Sequence, residues 1–386
     1  MDFHLNEEHD SFAQAVRRFA QNELAPGALA RAHSAAYPSD VAKALARQGL
    51  LGIAFDERDG GQGGSLMHAV LAIQEVALAC PKSADIVQAG NFGPIRTFVE
   101  YASSTQKARY LPGLLKGEQV ICLGMSEPEA GSAVTELVTS ATLEGDAVVI
   151  TGSKVFSTHS PHASLFLIYV RFGPGVDGIG SVLVERGTPG FSIGEPSNFM
   201  SGEQWSQLYF ENCRIPASQV LLGIGGFKKQ IAGFNVERLG NASRSLALGR
   251  YCFNVAREHA LIRKQFGRPL CEFQGLQWKF ADMALQLESA QLMLYKAAME
   301  GEGGALPSAH STAMAKLACN QAGWAVANEA MQVMGATGYS QETLVEYCVR
   351  RTRGWMIAGG STEMLKNRIA EGVFERTFSQ RPPKAA

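Results

Sequence analysis

The first part of the chain carries apolar residues at helical spacing. From about residue 6 to residue 115 they recur every three or four positions, as at Phe12 and Val16. The first such stretch opens with an acidic turn at Glu7 and stops before Pro26, which are ordinary signals for the start and end of a helix. The pattern predicts a bundle of helices.

The middle of the chain has a different pattern, of short runs rich in β-branched and aromatic residues. The runs read AVVITGSKVFST, SLFLIYVRF, GSVLVERG and SQLYFENCRI, and Gly, Pro and Asn separate them. They predict an antiparallel β unit between about residues 120 and 222. Residues 173–178, GPGVDG, match the letters of a dinucleotide fingerprint but lead into another strand rather than a helix, so we interpret them as a hairpin loop.

Helical spacing returns after Phe227 and continues to about residue 374. Two apolar stripes mark long helices of a bundle core: Leu276, Phe280, Met283, Leu287 and Leu294, and then Trp324, Val326, Ala330 and Val333. The order helical, β, helical divides the chain into domains at 1–118, 119–224 and 225–386. We therefore expect a mostly α fold with a central β domain.

Composition narrows the classes of function. Lys plus Arg number 35 and Asp plus Glu number 36, so the 386-residue chain has no overall field to hold nucleic acid or an anionic membrane. Hydrophobic residues make up 46% and charged residues 18%, which is typical of a compact globular protein. We expect neither nucleic acid nor a membrane as a partner.

Cysteine and histidine usage argues against disulfides and metals. The seven cysteines are odd in number and never form CxxC, and His159 and His162 lie close together without a carboxylate or Cys pattern. The first residues, MDFHLNEEHDSF, have no basic or apolar signal region, and the apolar stretch 66–80 is interrupted by polar residues. The expectation is a soluble, cytoplasmic protein without a metal.

Five separated segments stand out by the chemistry of their residues. They read MSEPEAGS at 125–132, KVFST at 154–158, GFNVER at 233–238, RKQFG at 263–267 with a companion QVMGATG at 332–338, and AGGSTE at 358–363. In residues, order and spacing they resemble the acyl-CoA dehydrogenase family over nearly the whole chain. The resemblance implies an N-terminal helical bundle, a β-barrel or sandwich, a C-terminal four-helix bundle and an FAD cofactor.

The first segment resembles the loop that contacts the flavin in this family. The resemblance implies cofactor contacts from Met125, Ser126, Gly131 and Ser132, with Ser132 also near the substrate. A hydroxyl and exposed backbone amides suit the polar edge of an isoalloxazine ring, and a glycine lets the backbone approach closely. The family usually has Asp at the position of Ala133, so no role transfers to that residue.

The second segment implies an aromatic cover for the flavin. Phe156 stands where the family often has Trp against one face of the ring, and Thr158 matches a residue near its reactive N5 edge. A half-buried strand explains both residues equally well when they are taken alone.

The third segment implies a cofactor site built from two chains. In relatives this turn reaches across a subunit interface to the pyrophosphate and adenine half of FAD, and the charge and planar fork of Arg263 suit a phosphate. The protein is then at least a dimer, and we expect a dimer of dimers. The implied FAD contacts here are Arg263, Gln265, Phe266, Gln274, Gln332, Gly335, Ser361 and Glu363.

Two segments together indicate the catalytic base. Many family members carry a catalytic Glu in the loop before the last helix, but Gly359 occupies that position here. The isovaleryl and long-chain branches carry their base on an earlier helix, directly before an Arg, and Glu237 followed by Arg238 matches that arrangement. We predict that Glu237 is the base; the alternative is a surface Glu paired with a neighbouring cation.

The implied reaction is flavin-linked α,β-dehydrogenation of an acyl-CoA thioester to the 2-enoyl-CoA. It requires one base for the Cα proton, a flavin to accept hydride from Cβ, and donors for the enolate oxygen. A carboxylate in an apolar pocket becomes a stronger base as its pKa rises. The backbone N–H of Gly359 remains available to polarise the thioester carbonyl.

The motifs indicate the acyl group of the substrate less narrowly than they indicate the type of reaction. Asn235 and Arg238 match positions that face the CoA moiety in relatives, and a glycine at position 359 leaves room that weakly favours branched acyl groups. Lys82 lies in a segment resembling the one where the glutaryl-CoA branch binds a distal carboxylate, although an exposed helix start is the simpler interpretation. The basic run Arg350 to Arg353 departs from the family and suggests a local interface or an anionic partner.

The resemblance implies electron-transfer flavoprotein as the electron acceptor. An oxidase that reduces oxygen would share the same motifs. A DNA-associated relative that keeps FAD and a lyase that eliminates a sulfinate from an acyl-CoA are further alternatives. The net charge of −1 disfavours the DNA-associated relative, and the intact Glu237 disfavours the lyase.

Overall fold

The computed structural model describes residues 5–379, and its order of elements is the predicted one. The N-terminal part is helical: α1 (Glu7–Phe19), α2 (Ala28–Ala32), α3 (Ser39–Arg47), α4 (Leu66–Ala79), α5 (Ala84–Ala89), α6 (Pro94–Tyr101) and α7 (Ser104–Leu115). Helix α1 begins at the acidic turn, where the Asn6 side chain accepts from the His9 N–H, and a wider helical turn extends it to Leu24. The helix thus stops before Pro26, as predicted.

The middle part is a sheet of nine strands. They are β1 (Ile121–Gly124), β2 (Ser140–Glu144), β3 (Ala147–Thr158), β4 (Leu165–Arg171), β5 (Ile179–Glu185), β6 (Phe191–Ile193), β7 (Ser197–Asn198), β8 (Gln204–Pro216) and β9 (Val220–Leu222). Pairing is antiparallel except where β4 meets β1 and β2. Strands β4 and β5 form the hairpin predicted around residues 173–178.

The C-terminal part consists of long helices with one small hairpin. It contains α8 (Phe227–Ile262), the hairpin β10 (Lys264–Gln265) and β11 (Arg268–Pro269), α9 (Gln274–Met299), α10 (Ala309–Met334), α11 (Ala336–Tyr339), α12 (Val345–Trp355) and α13 (Thr362–Val373). Both predicted apolar stripes lie on these helices, where Met283, Leu287, Leu294, Val326 and Ala330 are buried. The mostly α fold with a central β domain is confirmed.

One hydrophobic core joins the two helical parts across the length of the sequence. It runs from Val16 in α1 through α4 and α8 to Trp355 in α12. The sheet has its own core, and a further cluster packs α6 and α7 against it. Helices from both ends of the chain therefore meet around α8, and the candidate site forms there. No helix in residues 5–379 is long and apolar enough to cross a membrane.

Candidate active site

Glu237 lies on α8 with its carboxylate directed into the protein. Its Oε1 accepts a hydrogen bond of 2.6 Å from Nε2 of Gln88, a buried residue of α5. Its Oε2 is buried and has no hydrogen-bond partner within residues 5–379. Burial raises the pKa of Glu237 to about 7, although Arg244, the Gln88 amide and Lys316 act to lower it. The group can therefore hold or release a proton near neutral pH.

The backbone at the start of α6 approaches the free oxygen of this carboxylate. Gly93 precedes α6 with a φ of 72°, and a Cβ atom placed there would lie 3.0 Å from Glu237 Oε2. A side chain at this position would crowd the carboxylate, and an L-residue would be strained at that φ. The glycine lets the N-terminal helices pack closely against Glu237.

The loop between α12 and α13 lies beside the same part of α8. Gly359 has a φ of 69°, and a Cβ atom there would lie 3.2 Å from Nδ2 of Asn241. Asn241 follows Glu237 by one helical turn, so both face the same side of α8. The structure thus places Glu237 and Gly359, which are distant in sequence, next to one part of a single helix.

Two further predicted residues flank Glu237. The guanidinium of Arg238 donates a hydrogen bond of 2.9 Å to Oδ1 of Asn235, within α8. Burial lowers the pKa of Arg238 to about 10, and its Nε is buried with no partner in the described part of the chain. A buried donor without an acceptor is costly, so a ligand that supplies an acceptor here gains binding energy.

A buried ion cluster borders the Glu237 site, and the sequence did not indicate it. Asp85 of α5 accepts from Arg244 at 2.7 Å and from Arg351 at 2.8 Å, and Arg351 also contacts Glu203 at 3.1 Å. Both guanidinium groups lie over the ring of Trp355, at 4.4 and 4.6 Å from its centroid. Burial acts to raise the pKa of Asp85, but the two arginines hold it below its ordinary value.

This cluster corrects the interpretation of the basic run at 350–353 as a surface for an anionic partner. Arg351 is buried, and Arg350 forms an ion pair with Glu346 one turn earlier on α12, at 2.7 Å. Two of the three arginines are therefore satisfied inside the chain. The partners Asp85 and Glu203 come from distant segments, so no local sequence pattern indicated them.

Lys82 also differs from the simpler expectation of an exposed helix start. The residue is buried, and its Nζ donates a hydrogen bond to the backbone carbonyl of Ser34. Burial lowers the pKa of Lys82, while Glu203 and Asp85 act to raise it. Lys82 thus borders the ion cluster, and its role toward a substrate stays a prediction.

An exposed aromatic surface stands at the end of β3. A shift in register between Lys154 and Ser157 interrupts the pairing of β3 with β8, and Phe156 at that point has a φ of 57° and is 58% exposed. Its ring centroid lies 4.7 Å from that of Trp205 and 6.4 Å from that of Phe199. Large exposed aromatic surfaces are uncommon on a soluble domain unless something covers them. Thr158 follows on the same strand.

The loop at 125–132 is fixed to this strand by a buried ion pair. Nζ of Lys154 contacts Glu127 at 2.7 Å, and that carboxylate also accepts from the backbone N–H groups of Val138 and Thr139. Burial lowers the pKa of Lys154 to about 8. The sequence motifs contained Glu127 and Lys154, but their pairing became visible only in three dimensions.

Of the residues predicted to contact the flavin from this loop, two are held by hydrogen bonds to their backbone carbonyls and two face open space. The Ser126 carbonyl accepts from the Val155 N–H at 2.9 Å, and the Met125 carbonyl accepts from Lys154 at 3.3 Å. A Cβ atom at Gly131 would meet nothing within 4 Å, and Ser132 is exposed. The loop therefore presents open backbone beside the aromatic surface.

The remaining predicted cofactor residues lie apart from these. Gln265 and Phe266 belong to the exposed β10–β11 hairpin, in which Phe266 is 94% exposed with a φ of 51°, and Arg263 stands at its base, directly after α8. The others are exposed or half-buried at helix ends: Gln274 opens α9, Gln332 and Gly335 close α10, and Ser361 caps α13 ahead of Glu363. An exposed aromatic side chain at a hairpin tip is suited to contact another molecule.

Protein-family models of three successive domains match this chain. They are the acyl-CoA dehydrogenase N-terminal domain at residues 6–118, the middle domain at 122–213 and the C-terminal domain at 225–374. A protein named 3-sulfinopropanoyl-CoA desulfinase from Paraburkholderia xenovorans is 33% identical, over 98% of this chain and 99% of that protein. A protein named short-chain specific acyl-CoA dehydrogenase from Clostridium acetobutylicum is 34% identical, over 97% and 100%.

A solved structure shows the same architecture. The butyryl-CoA dehydrogenase of Megasphaera elsdenii superimposes with a TM-score of 0.90 at 29% identity, covering 97% of this chain and all of that one. Sequence motifs, domain models, whole-length relatives and fold agree over the same residues. The chain belongs to the acyl-CoA dehydrogenase family.

Proposed function

We propose that this protein is an FAD-dependent oxidoreductase that dehydrogenates an acyl-CoA thioester between Cα and Cβ, with Glu237 as the base. The observation that carries the proposal is the state of the Glu237 carboxylate. One oxygen is held by Gln88 and the other is buried without a partner, and burial raises its pKa to about 7. A general base is most effective when its pKa lies near the working pH.

The residues present fit an FAD cofactor. The exposed ring of Phe156, packed against the half-buried rings of Phe199 and Trp205, forms a surface for a flat conjugated ring, and the open backbone around Gly131 lies on the loop beside it. Met125, Ser126, Ser132 and Thr158 complete that side. FAD, when bound, accepts the hydride that leaves Cβ.

The protein side of the mechanism follows from the site. Glu237 takes the Cα proton on Oε2, while the Gln88 amide holds Oε1 and so fixes the plane of the carboxylate. The N–H of Gly359 donates to the thioester oxygen, on which negative charge develops as the proton leaves. Asn235 and Arg238 bind the CoA portion, and the backbone at Gly93 packs close to Oε2 of the carboxylate.

We further propose that the exposed hairpin residues complete the cofactor site of a second copy of this chain. Gln265 and Phe266 are exposed in the hairpin, and Arg263 is exposed at its base. The Phe266 ring contacts that of Phe273, with 6.3 Å between the centroids, and is still 94% exposed. An exposed arginine beside the hairpin suits the pyrophosphate of FAD. The oligomer is then a dimer or a dimer of dimers, with electron-transfer flavoprotein as acceptor and the cytoplasm as its compartment.

An anaerobic absorbance titration tests the main proposal. The FAD-bound protein is mixed with straight, branched, aromatic and dicarboxylyl CoA thioesters while the flavin band is followed. We expect one class of thioester to bleach the flavin band. In Glu237→Gln we expect FAD to stay bound and the rate of bleaching to fall about 10³-fold. Undiminished bleaching in that variant would contradict the role of Glu237, and no bleaching by any thioester would contradict the dehydrogenase itself.

Relatives named desulfinase make a lyase the second candidate. The same titration separates the two functions if it includes 3-sulfinopropanoyl-CoA and a sulfite assay. Release of sulfite without lasting bleaching would favour the lyase. The poised carboxylate of Glu237 favours the dehydrogenase, because α,β-dehydrogenation needs a base for the Cα proton.

A further inference from the structure

Lys316 is a fully buried lysine that directs its charge at the loop between α12 and α13. The side chain belongs to α10, and its Nζ donates to the carbonyls of Trp355 at 3.2 Å, Ala358 at 2.8 Å and Gly360 at 2.8 Å. An ammonium has three N–H donors, so three acceptors satisfy it completely. Burial lowers the pKa of Lys316 to about 7, and the neutral amine keeps two of these donors.

The bond to Ala358 fixes the direction of the next amide. The Ala358 carbonyl and the Gly359 N–H belong to one peptide unit, which is planar and trans, since the described chain has no cis peptide bonds. The two groups of a trans peptide point in opposite directions. Because the carbonyl points at Lys316, the Gly359 N–H points away from it, and no acceptor for that N–H occurs among residues 5–379.

The same loop is confined on its other side by α8. Position 359 lies against Asn241, one turn from Glu237, and against Lys316, whose Cε would be 3.6 Å from a Cβ atom there. Lys316 therefore lies directly against the loop at Gly359. Its charge also acts on Glu237, whose pKa it helps to lower.

We infer that Lys316 is a positioning residue that orients the Gly359 N–H toward the thioester carbonyl. This inference rests on the proposed function, because it deepens the role given there to Gly359. Lys316 holds the Ala358–Gly359 peptide in one orientation before the substrate arrives. A hydrogen bond donated to the carbonyl end of a peptide also polarises that peptide, which makes its N–H a stronger donor.

The test compares Lys316→Met with the wild type as FAD-bound proteins. The readouts are the rate of anaerobic flavin reduction and the infrared stretch of a ¹³C-labelled thioester carbonyl on the bound acyl-CoA. We expect the rate to fall about 10- to 100-fold, thioester affinity to change less than about threefold, and the shift of the carbonyl stretch to lower wavenumber to shrink. Lys316→Gln, which retains an N–H donor on a shorter side chain, should show a smaller version of each change and replaces Lys316→Met if that variant loses FAD.

A matched control removes a different tether of the same loop. Asn320 on α10 donates to the Trp355 carbonyl at 2.8 Å and more weakly to Oδ1 of Asn241 at 3.5 Å. It makes no hydrogen bond to the Ala358 carbonyl, so Asn320→Leu should lower stability but leave the carbonyl shift intact. A slower Lys316→Met with a wild-type carbonyl shift would overturn the inference, as would an unchanged rate. A third outcome separates the two proposals. If no thioester bleaches the flavin of the wild type, but the labelled carbonyl stretch shifts in the wild type and shifts less in Lys316→Met, the dehydrogenase proposal falls and the positioning role stands.

Discussion

Two buried carboxylates lie close together in this protein and have opposite environments. Asp85 and Gln88 lie on the same short helix, α5, and Gln88 contacts Glu237 on α8. Asp85 receives two guanidinium groups, whereas Glu237 receives one neutral amide. The pKa of Asp85 is held below its ordinary value, and that of Glu237 is raised to about 7.

The difference shows that the partners of a buried acid, rather than its burial, decide what it can do. Burial disfavours the charged form of both groups. Paired cations overcome that cost for Asp85, which stays ionised and ties α5 to α8 and α12. Glu237 has no ion-pair partner, so its proton is exchangeable near neutral pH. One carboxylate serves the structure, and the other is available for chemistry.

The largest expected effect comes from removing the charge of Asp85. Asp85→Asn leaves Arg244 without its ion-pair partner and Arg351 with Glu203 alone, so we expect a loss of about 3–5 kcal/mol in unfolding free energy. Thermal and urea unfolding of the FAD-bound protein measure it. As a control, Asp59→Asn breaks a half-exposed pair with Lys107 and should cost no more than about 1 kcal/mol. Equal losses in the two variants would break the contrast between the buried and half-exposed pairs.

The charge of Glu237 should destabilise the folded protein, whereas the charge of Asp85 stabilises it. The effect of Glu237 on the free energy of unfolding should grow as the pH rises. Its pKa is about 7 in the folded chain against an ordinary 4.5, so the folded state keeps a proton that the unfolded state releases between these values. Wild-type stability therefore falls as pH rises through this window. Between pH 5 and pH 8, Glu237→Gln should gain about 2 kcal/mol relative to the wild type; the residue as a whole is only half-buried, and solvent screening reduces the full effect. A gap independent of pH would show that the carboxyl is ionised throughout.

The hydrogen bond from Gln88 sharpens the comparison further. Below its pKa Glu237 is protonated, so the rate of flavin reduction should rise about tenfold per pH unit and level off above about pH 7. Gln88→Leu removes the donor that favours the ionised form, which should move the midpoint up by about one unit. Gln74→Leu, which removes a buried glutamine bonded to Gln291, should leave the midpoint in place. If the pH midpoint moved equally in both variants, the hydrogen bond from Gln88 would have no specific effect on Glu237.

The smallest effect concerns the glycine beside the base. Gly93→Ala adds a methyl group about 3 Å from Glu237 Oε2 at a positive φ, so we expect a stability loss of about 1–2 kcal/mol and a several-fold slower flavin reduction. Gly60→Ala carries the same strain, with a φ of 82°, away from the base. It should lose similar stability and keep the wild-type rate. A normal rate in Gly93→Ala would show that the contact with the carboxylate has no consequence.

Several features of the site followed from sequence because they are local. Phe156 with Thr158, the loop around Gly131 and the pair Glu237–Arg238 are short motifs whose residues are neighbours along the chain. The hairpin between β4 and β5 was likewise visible in a glycine-rich segment between two strands. Periodicity of 3.6 and 2 residues decided the helical, β, helical order.

Other features required contacts between distant segments. Lys82 looked exposed at a helix start but is buried, because the carbonyl of Ser34 accepts its Nζ. Arg351 looked like part of a basic surface but is buried between Asp85 and Glu203. Charged residues are rarely buried without partners, and these partners are far away in sequence.

By itself the sequence determined the order of elements, the family and the identity of the candidate base, since apolar periodicity and short motifs are properties of neighbouring residues. Only the tertiary structure decided the state of that base and the direction of the Gly359 amide. The pKa of Glu237 depends on which groups α5, α8 and α10 bring around it, and the amide direction depends on Lys316 reaching the Ala358 carbonyl. Electrostatic energy in a poorly solvated interior depends on distances in space, and the chain sets those distances only by folding.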